Sequence, residues 1–311
     1  MRVIGAAEVE AALTLDLLIE RLREAFRGTT AAPAPHRHTI PTFGERPGQL
    51  ILAPAWQAGR HVGVAVLTDF PDNPGVGLPE AMGAYFLLDA RNGRPLALID
   101  GRALIVRRTA AASALAAQYL ARQDAERLLM VGAGSLAPHL IAAHCAVRPI
   151  RTVLIHDADR ARAKRLAKKL DRRSLSVGAT DDLPGAVAGA DVICCATRAR
   201  QPVVRGEWLS EGTHLDLVGS QSPDAREVDD EAVRRARLFV DTREQATVQG
   251  GDIAQPLAAG VITLDDIAGD LYDLARGERA GRRFYEQITL FKSVGTALED
   301  LAAAGAVLRQ A

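Results

Sequence analysis

The chain has 311 residues, of which 48% are hydrophobic and 24% charged, and its 38 basic and 38 acidic side chains give a formal net charge of +0. This length suggests two domains, and the balanced charge gives no reason to expect nucleic acid or an anionic membrane as a partner. Because no apolar run approaches the roughly 20 residues of a membrane span, and no signal peptide precedes Glu8, we expect a cytoplasmic protein without a membrane partner.

Strand patterns dominate the first part of the chain, behind one leading helix. Apolar residues recur at helical spacing over 8–27, and Gly28 ends that helix. The Pro- and Gly-rich stretch 31–54 is interpreted as an extended loop that leads into strands. Asn92-Gly93 between two apolar runs predicts a β-hairpin, so this region is expected to be mostly antiparallel β. The predicted strands cover 49–53, 60–67, 84–89 and 96–100.

The rest of the chain alternates strands with helices, after an alanine-rich helix at 107–122. Such alternation predicts a parallel, doubly wound sheet. The predicted strands cover 127–131, 151–156, 175–177, 190–195, 213–218 and 238–241. The predicted helices cover 135–147, 159–170, 181–188, a short segment that ends at Leu274, and 288–308. We expect the last helix, which is apolar on one side, to run back to the first domain.

A glycine-rich turn follows the first strand of this alternating region and opens a helix. Gly132 permits a tight turn, Gly134 lets the backbone approach a pyrophosphate, and Ala137 lets the helix pack close to the strand. The backbone N–H groups of Ser135 and Leu136 then face the anion at the helix N-terminus. The pattern predicts a dinucleotide-binding βαβ unit; the alternative is an ordinary strand-to-helix turn.

An acidic residue, Asp157, ends the next predicted strand, 25 residues after Gly132. At this spacing its carboxylate is expected to accept hydrogen bonds from the adenosine ribose hydroxyls, which favours NAD(H) over NADP(H). Arg160, Arg162 and Lys164 follow closely and can also hold the 2′-phosphate of NADP(H), although a solvated helix face is the better interpretation of these three residues. NAD(H) is therefore the favoured cofactor, with NADP(H) as the alternative.

The sequence predicts no metal site. His36, His38 and His61 lack the spacing of metal ligands, and three cysteines make neither a disulfide framework nor a zinc site. Cys194-Cys195 are most simply buried core. A role as a hydrogen-bond donor in a substrate pocket is the better interpretation for His38 or His61.

Four stretches are together typical of one protein family. They are RRTAAASALAA at 107–117, ADVICCAT at 190–197, GTHLDLVGS at 212–220 and TLFKSVG at 289–295. In combination they resemble the ornithine cyclodeaminase/μ-crystallin family over essentially the whole chain. The resemblance implies a homodimer with a nicotinamide cofactor that interconverts imines and amines by hydride transfer.

The same resemblance implies an α/β fold in two domains. A Rossmann domain with a doubly wound parallel sheet is expected at 116–287, where it binds NAD(P). A β-rich α+β domain for substrate binding and dimerisation is expected at 1–115 with 288–311.

Within that family, the chain looks closest to the ketimine reductases that act on Δ1-pyrroline-2-carboxylate and Δ1-piperideine-2-carboxylate. The segment HLDLVGS at 214–220, followed by SPDAREVDD at 222–230, carries this similarity. Cyclodeaminases of the family have a catalytic aspartate where this chain has Gln221. Since an amide cannot exchange a proton as a general acid or base, ornithine cyclisation is not expected.

Ala65 marks a second departure from the family. Members usually have a lysine at this position that pairs with the substrate carboxylate, and its loss would cost roughly 1.5–3 kcal/mol if nothing replaced it. The family's early substrate arginine corresponds to Arg37, in PHRH at 35–38. Either Arg37 or His61 covers the carboxylate, or the substrate differs from the usual cyclic imino acid.

Three charged residues are the candidates for the chemistry itself. Arg108 precedes a helix of small residues and is expected to bind a carboxylate bidentately. Asp216, where cyclodeaminases have an asparagine, is either a proton donor or a structural acceptor. Lys292 is either a catalytic acid or one half of a structural ion pair.

Further cofactor contacts are expected at strand and helix ends. Thr197 follows a predicted strand, at the edge where doubly wound sheets bind cofactors, unless it only caps the next turn. Ser293 is expected to bind cofactor where the last helix begins with free N–H groups, and Val294 to contact substrate. The strand end that lines the nicotinamide in the family corresponds to Leu215, Asp216, Leu217 and Val218.

The predicted reaction is the reduction of a cyclic imino acid, protonated on its imine nitrogen, by hydride from the nicotinamide. Arg108 and Arg37 hold the carboxylate, so the protein supplies orientation and the cofactor supplies the chemistry. Two alternatives stay open. One is a cyclodeaminase-like or amino-acid dehydrogenase activity on another substrate. The other, which the missing lysine at Ala65 keeps open, is a non-catalytic NAD(P)-binding protein of the μ-crystallin kind.

Overall fold

The structure is a computed structural model that describes residues 1–42, 44 and 46–310. Contacts between residues divide the chain into two compact units. The first unit comprises Met1–Thr109 with Gly295–Ala311, and the second unit comprises Ala110–Val294. In the described ranges, no helix combines the length and the apolar character that crossing a bilayer requires.

Strands and helices follow one another through both units. The strands are β1 (Arg2–Ile4), β2 (His36–Ile40), β3 (Gly48–Gln57), β4 (His61–Asp69), β5 (Ala81–Asp89), β6 (Pro95–Asp100), β7 (Arg127–Val131), β8 (Thr152–His156), β9 (Ser176–Ala179), β10 (Val192–Cys195), β11 (His214–Leu217), β12 (Arg237–Val240), β13 (Ile267–Asp270) and β14 (Thr289–Lys292). The helices are α1 (Ala6–Ala12), α2 (Leu15–Arg27), α3 (Gly101–Leu120), α4 (Ala137–Val147), α5 (Arg160–Leu170), α6 (Leu183–Gly189), α7 (Asp230–Arg235), α8 (Arg243–Gln249), α9 (Gly251–Ala258), α10 (Leu271–Arg276) and α11 (Ala297–Gln310). Short 3-10 turns lie at Asn73–Val76, Gly206–Trp208 and Leu264–Asp266.

A six-stranded sheet with helices on one face forms the first unit. Its strand order is β1-β6-β5-β4-β3-β2, and neighbouring strands are antiparallel except for the parallel pair β1 and β6. Helix α11 packs on β3, β4 and β5 and also against α2. The predicted antiparallel β region with its hairpin at β5 and β6 is therefore confirmed.

An eight-stranded parallel sheet forms the second unit, in the order β13-β12-β14-β11-β10-β7-β8-β9. From β7 the chain builds outward through β8 and β9, then returns to the other side of β7 with β10 and β11. This reversal is the switch point of a doubly wound sheet, so the predicted Rossmann architecture is confirmed. Strand β14 comes last in this unit but lies between β11 and β12.

The last predicted helix, at 288–308, is wrong in its first part. Residues Thr289–Lys292 form strand β14, which is buried between two parallel neighbours. A short apolar run has the same pattern in a buried strand as in a buried helix, so periodicity could not separate them. Helix α11 begins only at Ala297, after Thr296 Oγ1 accepts the Leu298 N–H at 3.3 Å.

Two smaller differences lie near the start of the chain. The single helix predicted at 8–27 is two helices, because Thr14 Oγ1 accepts the Leu17 N–H at 3.4 Å and starts a new helix. Residues His36–Ile40, interpreted as loop, form the edge strand β2. This strand is largely exposed and polar, so its sequence carries no apolar alternation to reveal it.

Candidate functional site

Gly132 and Gly134 lie in one turn after β7 but have different surroundings. Gly132 has a φ of 101°, and an added Cβ would lie 2.6 Å from the carbonyl oxygen of Ala196. Only glycine meets both conditions without strain. Gly134 is exposed, and apart from Gly134 itself and its two chain neighbours, no atom of the described chain lies within 4 Å of its Cβ position. A ligand can therefore approach the backbone of Gly134.

The turn leads directly into the first turn of α4. Ser135 is exposed, Leu136 is half-buried at the N-cap, and Ala137 is fully buried against the sheet. The first N–H groups of a helix have no partner within it and favour an anion. These are the features that fit the pyrophosphate of a dinucleotide.

Asp157 ties the end of β8 to the glycine turn. Its Oδ2 accepts the Ala133 N–H at 2.7 Å, and its Oδ1 accepts the Asp159 N–H at 2.8 Å. The carboxylate is half-buried and held beside the turn. Of the basic residues that follow, Arg160 lies 2.5 Å from an oxygen of Asp181 with its side chain 64% exposed, which favours the solvated-face interpretation.

A buried carboxylate joins the carboxyl ends of the neighbouring strands β10 and β11. Glu227 accepts hydrogen bonds from Thr197 N–H (2.7 Å), from Thr197 O–H (2.8 Å) and from Gly219 N–H (2.9 Å). An added Cβ on Gly219 would lie 2.3 Å from the Thr197 carbonyl oxygen, so the two strand ends lie in close contact. Doubly wound sheets bind dinucleotides at this carboxyl edge.

The charge of Glu227 depends on its neighbours. The side chain is fully buried, and this burial, helped by the nearby Asp252, raises the pKa of Glu227 to about 7. Lys292 and the Thr197 hydrogen bonds act in the opposite direction. The carboxyl group therefore changes protonation near neutral pH.

Lys292 ends β14 and belongs to a fully buried ion pair. Its Nζ lies 2.9 Å from Asp252 Oδ2 and also donates to the carbonyl oxygen of Gly219. Asp252 Oδ1 in turn accepts the backbone N–H of Glu227 (2.6 Å) and of Val228 (3.1 Å). Burial alone favours the neutral amine, but the carboxylates of Asp252 and Glu227 raise the pKa of Lys292. The geometry favours the ion-pair alternative, and a catalytic acid stays a prediction.

Ser293 and Val294 do not begin a helix, so that part of the prediction is wrong. They follow strand β14, and helix α11 starts at Ala297. The Val294 N–H donates to Asp241 Oδ2 at 2.7 Å, and Ser293 Oγ lies 3.4 Å from the same oxygen. Asp241 thus occupies the donors that a helix start would have offered to a cofactor. The contacts of Ser293 with cofactor and of Val294 with substrate stay predictions.

Asp216 is fully buried in a cluster of polar side chains. Its Oδ1 accepts from Ser113 Oγ (3.1 Å), and its Oδ2 contacts His144 Nε2 (2.9 Å) and Cys194 Sγ (3.2 Å). Burial opposes ionisation, but the hydrogen bond and charge of His144 hold the pKa of Asp216 below its usual range. This favours the structural-acceptor alternative. One ligand atom each of His144, Cys194 and Asp216 lies within 4.8 Å of the others, and hydrogen bonds already account for that grouping.

The side chains of Leu215, Leu217 and Val218 are buried, and β11 is paired on both sides, with β10 and β14. A ligand can reach this strand where it ends, at the half-buried Gly219. The next residue, Ser220, has a φ of 51°, the one positive φ among described non-glycine residues. Such a conformation is held against strain and is common at functional sites.

Arg108 lies in the first-unit part of α3, where two acids of α11 pair with its guanidinium. Nε lies 2.8 Å from Asp300 Oδ1, and Nη1 lies 2.7 Å from Glu299 Oε2. All three side chains are buried. A substrate carboxylate would have to compete with these two acids for the N–H groups of the guanidinium. Carboxylate binding by Arg108 therefore stays a prediction.

Arg37 and His61 are not brought together by the first-unit sheet. Arg37 of β2 aligns through β3 with Leu67 of β4, whereas His61 begins β4. Six residues separate those two rows, which corresponds to about 20 Å along a strand. A small carboxylate cannot bridge that distance. Burial, together with the charge of Arg309, lowers the pKa of His61 and favours its neutral form.

Sequence reasoning missed the acids that complete these clusters. Glu227 enters the sequence prediction only as part of the family segment at 222–230, and Asp252 and Asp241 have no predicted role. Their roles depend on β14 lying between β11 and β12, which local patterns do not encode. The acidic run at 227–230 was the one available signal.

Comparison with known proteins supports one family over the whole chain. A sequence profile of the ornithine cyclodeaminase/mu-crystallin family matches residues 2–311. The Delta(1)-pyrroline-2-carboxylate reductase of Paracoccus denitrificans is 39% identical over 280 residues, which cover 88% of this chain and 89% of that protein.

Two solved structures share the fold along the entire chain. The Thermococcus litoralis Delta(1)-pyrroline-2-carboxylate reductase, in complex with NADH and L-proline, superposes with a TM-score of 0.93 at 33% identity and covers 100% of this chain and 97% of its own. An archaeal alanine dehydrogenase dimer with bound NAD has a TM-score of 0.92 at 30% identity and covers 100% and 95%.

Proposed function

The chain belongs to the ornithine cyclodeaminase/mu-crystallin family, and from this premise we propose that it is an NAD(P)H-dependent oxidoreductase that reduces a cyclic imino acid. The substrate is of the Δ1-pyrroline-2-carboxylate or Δ1-piperideine-2-carboxylate type, and the product is the cyclic amino acid. The observation that carries the proposal is the full-length match to a reductase in complex with NADH and L-proline. L-proline is the compound that reduction of Δ1-pyrroline-2-carboxylate yields.

The second unit carries the cofactor contacts. Gly132, Gly134 and the first turn of α4 hold the pyrophosphate, since the backbone is open at Gly134 and α4 points its N-terminus there. Asp157, already fixed by the Ala133 N–H at 2.7 Å, accepts from the ribose hydroxyls. NAD(H) is the favoured cofactor, because a carboxylate at this place repels a 2′-phosphate.

The first unit carries the substrate contacts. Arg108 binds the carboxylate at the cost of its pairing with Glu299 and Asp300. Arg37 replaces the charge that is absent at Ala65: it lies on the same sheet face, two strands across and two residues along, about 12 Å from Ala65, a distance that its long side chain shortens. His61 lies four residues along β4 from Ala65, about 13 Å away, and fits this role less well because its lowered pKa favours the neutral imidazole.

The reaction needs little from the protein beyond orientation. A bound nicotinamide supplies the hydride. An imine that is already protonated on nitrogen becomes a neutral amine when it accepts hydride, so no side chain has to donate a proton in that step. This agrees with the full burial of Asp216 and Lys292, each in hydrogen-bonded contacts of its own.

Gln221 supports reduction of a preformed imine over cyclisation of ornithine. It follows the end of β11, with its Nε2 3.4 Å from the Val218 carbonyl oxygen. An amide cannot take a proton from an amine substrate before its oxidation. The ammonia-releasing sequence of a cyclodeaminase therefore lacks its base at this position.

We also propose a homodimer, with the uncovered face of the first-unit sheet as its interface. The buried residues of the helix-covered face are Ala53, Ala55, Ala65, Tyr85, Leu87, Ala97 and Ile99. The opposite face is also apolar and only half-buried or exposed, with Leu52, Pro54, Val62, Val64, Val66, Phe86, Leu88 and Leu98. An antiparallel sheet with one wet face would place polar residues there. A second copy is the occupant we favour, since the archaeal alanine dehydrogenase of the same fold is a dimer.

Oxidation of NADH and of NADPH, measured against a panel of cyclic and linear imino acids, tests the proposed reaction. We expect turnover of a cyclic substrate with NADH and no proline from L-ornithine. Arg108→Ala should lower kcat/KM by at least about tenfold, the value of one charge-assisted contact. Arg102→Ala, an exposed position of the same helix, should change kcat/KM by less than about twofold.

Each alternative gives a different result in the same assay. Proline formed from ornithine would contradict the argument from Gln221. Turnover of linear imino acids alone would indicate an amino-acid dehydrogenase. NADH binding without turnover of any panel member would indicate the non-catalytic protein. Because Arg108→Ala removes a buried basic partner of Glu299 and Asp300, rates are compared per folded protein.

A further inference from the structure

Glu227 joins the ends of β10 and β11, and no sequence motif assigns it a role. We propose that Glu227 is a positioning residue for NAD(H): it fixes the two strand ends against which the nicotinamide half of the cofactor binds. The inference rests on the proposed function, because it presupposes NAD(H) at the carboxyl edge of the second-unit sheet.

Hydrogen bonds form a closed ring around Gly219. The Gly219 N–H donates to Glu227 Oε2 (2.9 Å), and the Glu227 N–H donates to Asp252 Oδ1 (2.6 Å). Asp252 Oδ2 pairs with Lys292 Nζ (2.9 Å), which donates back to the Gly219 carbonyl oxygen. The backbone N–H and carbonyl oxygen of Gly219, at the strand end, are thereby both held by buried charged groups.

The ring reaches the glycine turn through Thr197. Glu227 accepts both the N–H and the O–H of Thr197, and Thr197 O accepts the Ser220 N–H at 3.2 Å. Thr197 Cγ2 lies 3.3 Å from the Cβ position of Gly132. A shift of Glu227 would therefore move the β10 end, the β11 end and the wall of the pyrophosphate turn together.

One side of the ring is partly accessible to solvent. Glu227, Asp252 and Lys292 are fully buried, whereas Thr197 and Gly219 are half-buried. The charged members therefore cannot touch a ligand, but the two groups that they hold can. This separates positioning from direct contact and is why Glu227 is not called a catalytic residue.

The carboxylate form of Glu227 is the one that serves three donors. The negative charge of Glu227 is disfavoured by Asp252 of α9 and favoured by Lys292 of β14. The neighbouring thiols of β10, Cys194 and Cys195, stay neutral because burial raises their pKa. As the pH falls through about 7, Glu227 takes up a proton. A protonated oxygen accepts poorly, so the strand ends lose a contact and NAD(H) binds more weakly.

The dissociation constant of NADH, followed by nucleotide fluorescence across neutral pH, tests the inference. In the wild type it should rise on the acid side of about pH 7. Glu227→Gln places an amide N–H₂ group, a donor, against the Gly219 N–H. The dissociation constant of NADH for this variant at alkaline pH should therefore be at least about tenfold above that of the wild type and should not depend on pH. The KM for NADH should rise more than kcat falls. Glu227→Asp, which keeps the charge, should keep the pH dependence.

Glu207→Gln is the matched control, because Glu207 is a 65% exposed glutamate of the same unit. It should bind NADH like the wild type. Circular dichroism and thermal unfolding report whether each variant folds. If Glu227→Gln does not fold, Glu227→Asp and the wild-type pH profile decide.

Several results would overturn the inference. One is a folded Glu227→Gln variant that binds NADH with wild-type affinity and pH dependence, and another is a wild-type dissociation constant that ignores pH. A wild type that binds NADH but reduces no imino acid contradicts the proposed substrate alone, since the inference is measured by binding. A wild type that binds neither NADH nor NADPH overturns both.

Discussion

At the scale of single residues, the two glycines of the glycine turn serve different purposes: one is required by the fold and the other leaves room for a ligand. Gly132 is needed by the fold, because it has a φ of 101° and the Ala196 carbonyl oxygen would lie 2.6 Å from a Cβ. Gly134 is not needed by the fold, because its Cβ position is open. The open space beside Gly134 is therefore available to a ligand and is not needed for packing.

Alanine substitutions at these two glycines should have different effects. Gly132→Ala should lower the free energy of unfolding by about 1–3 kcal/mol, the cost of a strained backbone. Gly134→Ala should leave that free energy within about 0.5 kcal/mol of the wild type, yet weaken NADH binding, because its methyl group points to where the pyrophosphate approaches. Denaturant unfolding and NADH titration measure the two quantities, and an equal loss of stability in both variants would contradict the argument.

Local residues of the candidate site could be predicted, and residues that depend on strand order could not. Gly132 and Asp157 stand out because one short βαβ segment contains both. Glu227 and Lys292 meet only because β14 returns to the middle of the sheet. Arg108 is predicted from the small residues that follow it to bind a substrate carboxylate, which stays a prediction, but its acidic partners on α11, far along the chain, could not be predicted.

At the scale of elements, β7 and β8 were predicted almost to the residue, because turn signals bound both short apolar runs. The prediction of a helix at strand β14 is wrong because an apolar run of this length fits either structure. Strand β2 was missed because it is an exposed, polar edge strand. Buried strands next to clear turns are thus predictable, whereas central strands inserted late and polar edges require the tertiary structure.

Strand β11 begins with a buried histidine whose protonation is linked to folding. His214 is fully buried, with Nδ1 3.0 Å from Thr289 Oγ1 on β14. Burial lowers the pKa of His214 to about 3, from the usual 6.5. Below pH 6.5 the unfolded chain binds a proton here that the folded chain does not, so acid destabilises the fold by about 1.4 kcal/mol per pH unit from this group.

Replacing His214 with asparagine should remove this pH dependence. As the pH falls from about 7 to about 5, this group should cost the wild type about 2 kcal/mol of its free energy of unfolding, whereas His214→Asn should not show that loss. Denaturant unfolding of the wild type and of His214→Asn at both pH values gives the difference, and parallel curves for the two proteins would refute the prediction.

Glu227 has the opposite effect on stability. Its raised pKa means that the folded state holds a proton that the unfolded state has lost, so the free energy of unfolding falls as the pH rises from 4.5 towards about 7.

At the scale of the whole molecule, one apolar sheet face of the first unit has no cover within the described chain. Its residues alternate with the buried ones along the same strands, so the face is as regular as a core. Val66 is 39% exposed near its centre and Trp56 is 44% exposed. This is the surface that the proposed homodimer would bury.

A charge placed on this face should separate the two copies. Val66→Asp should convert a dimer into monomers of 33.1 kDa, because an unpaired carboxylate at the centre of an apolar interface is costly. Light scattering after gel filtration measures the mass. Val248→Asp, on an apolar residue 65% exposed in α8 of the second unit, should remain dimeric. A wild type that is monomeric at all concentrations would remove the premise.

The place of β14 in the second-unit sheet has a consequence for biosynthesis. Until Thr289–Lys292 leave the ribosome, β11 and β12 each present an unpaired parallel edge, and β13 has no route to the rest of the sheet. Open edges of this kind invite pairing between chains. The sheet of the second unit can therefore be completed only after Lys292 has left the ribosome. A chain that ends before Thr289 should depend on chaperones, whereas a released chain that includes Lys292 should not.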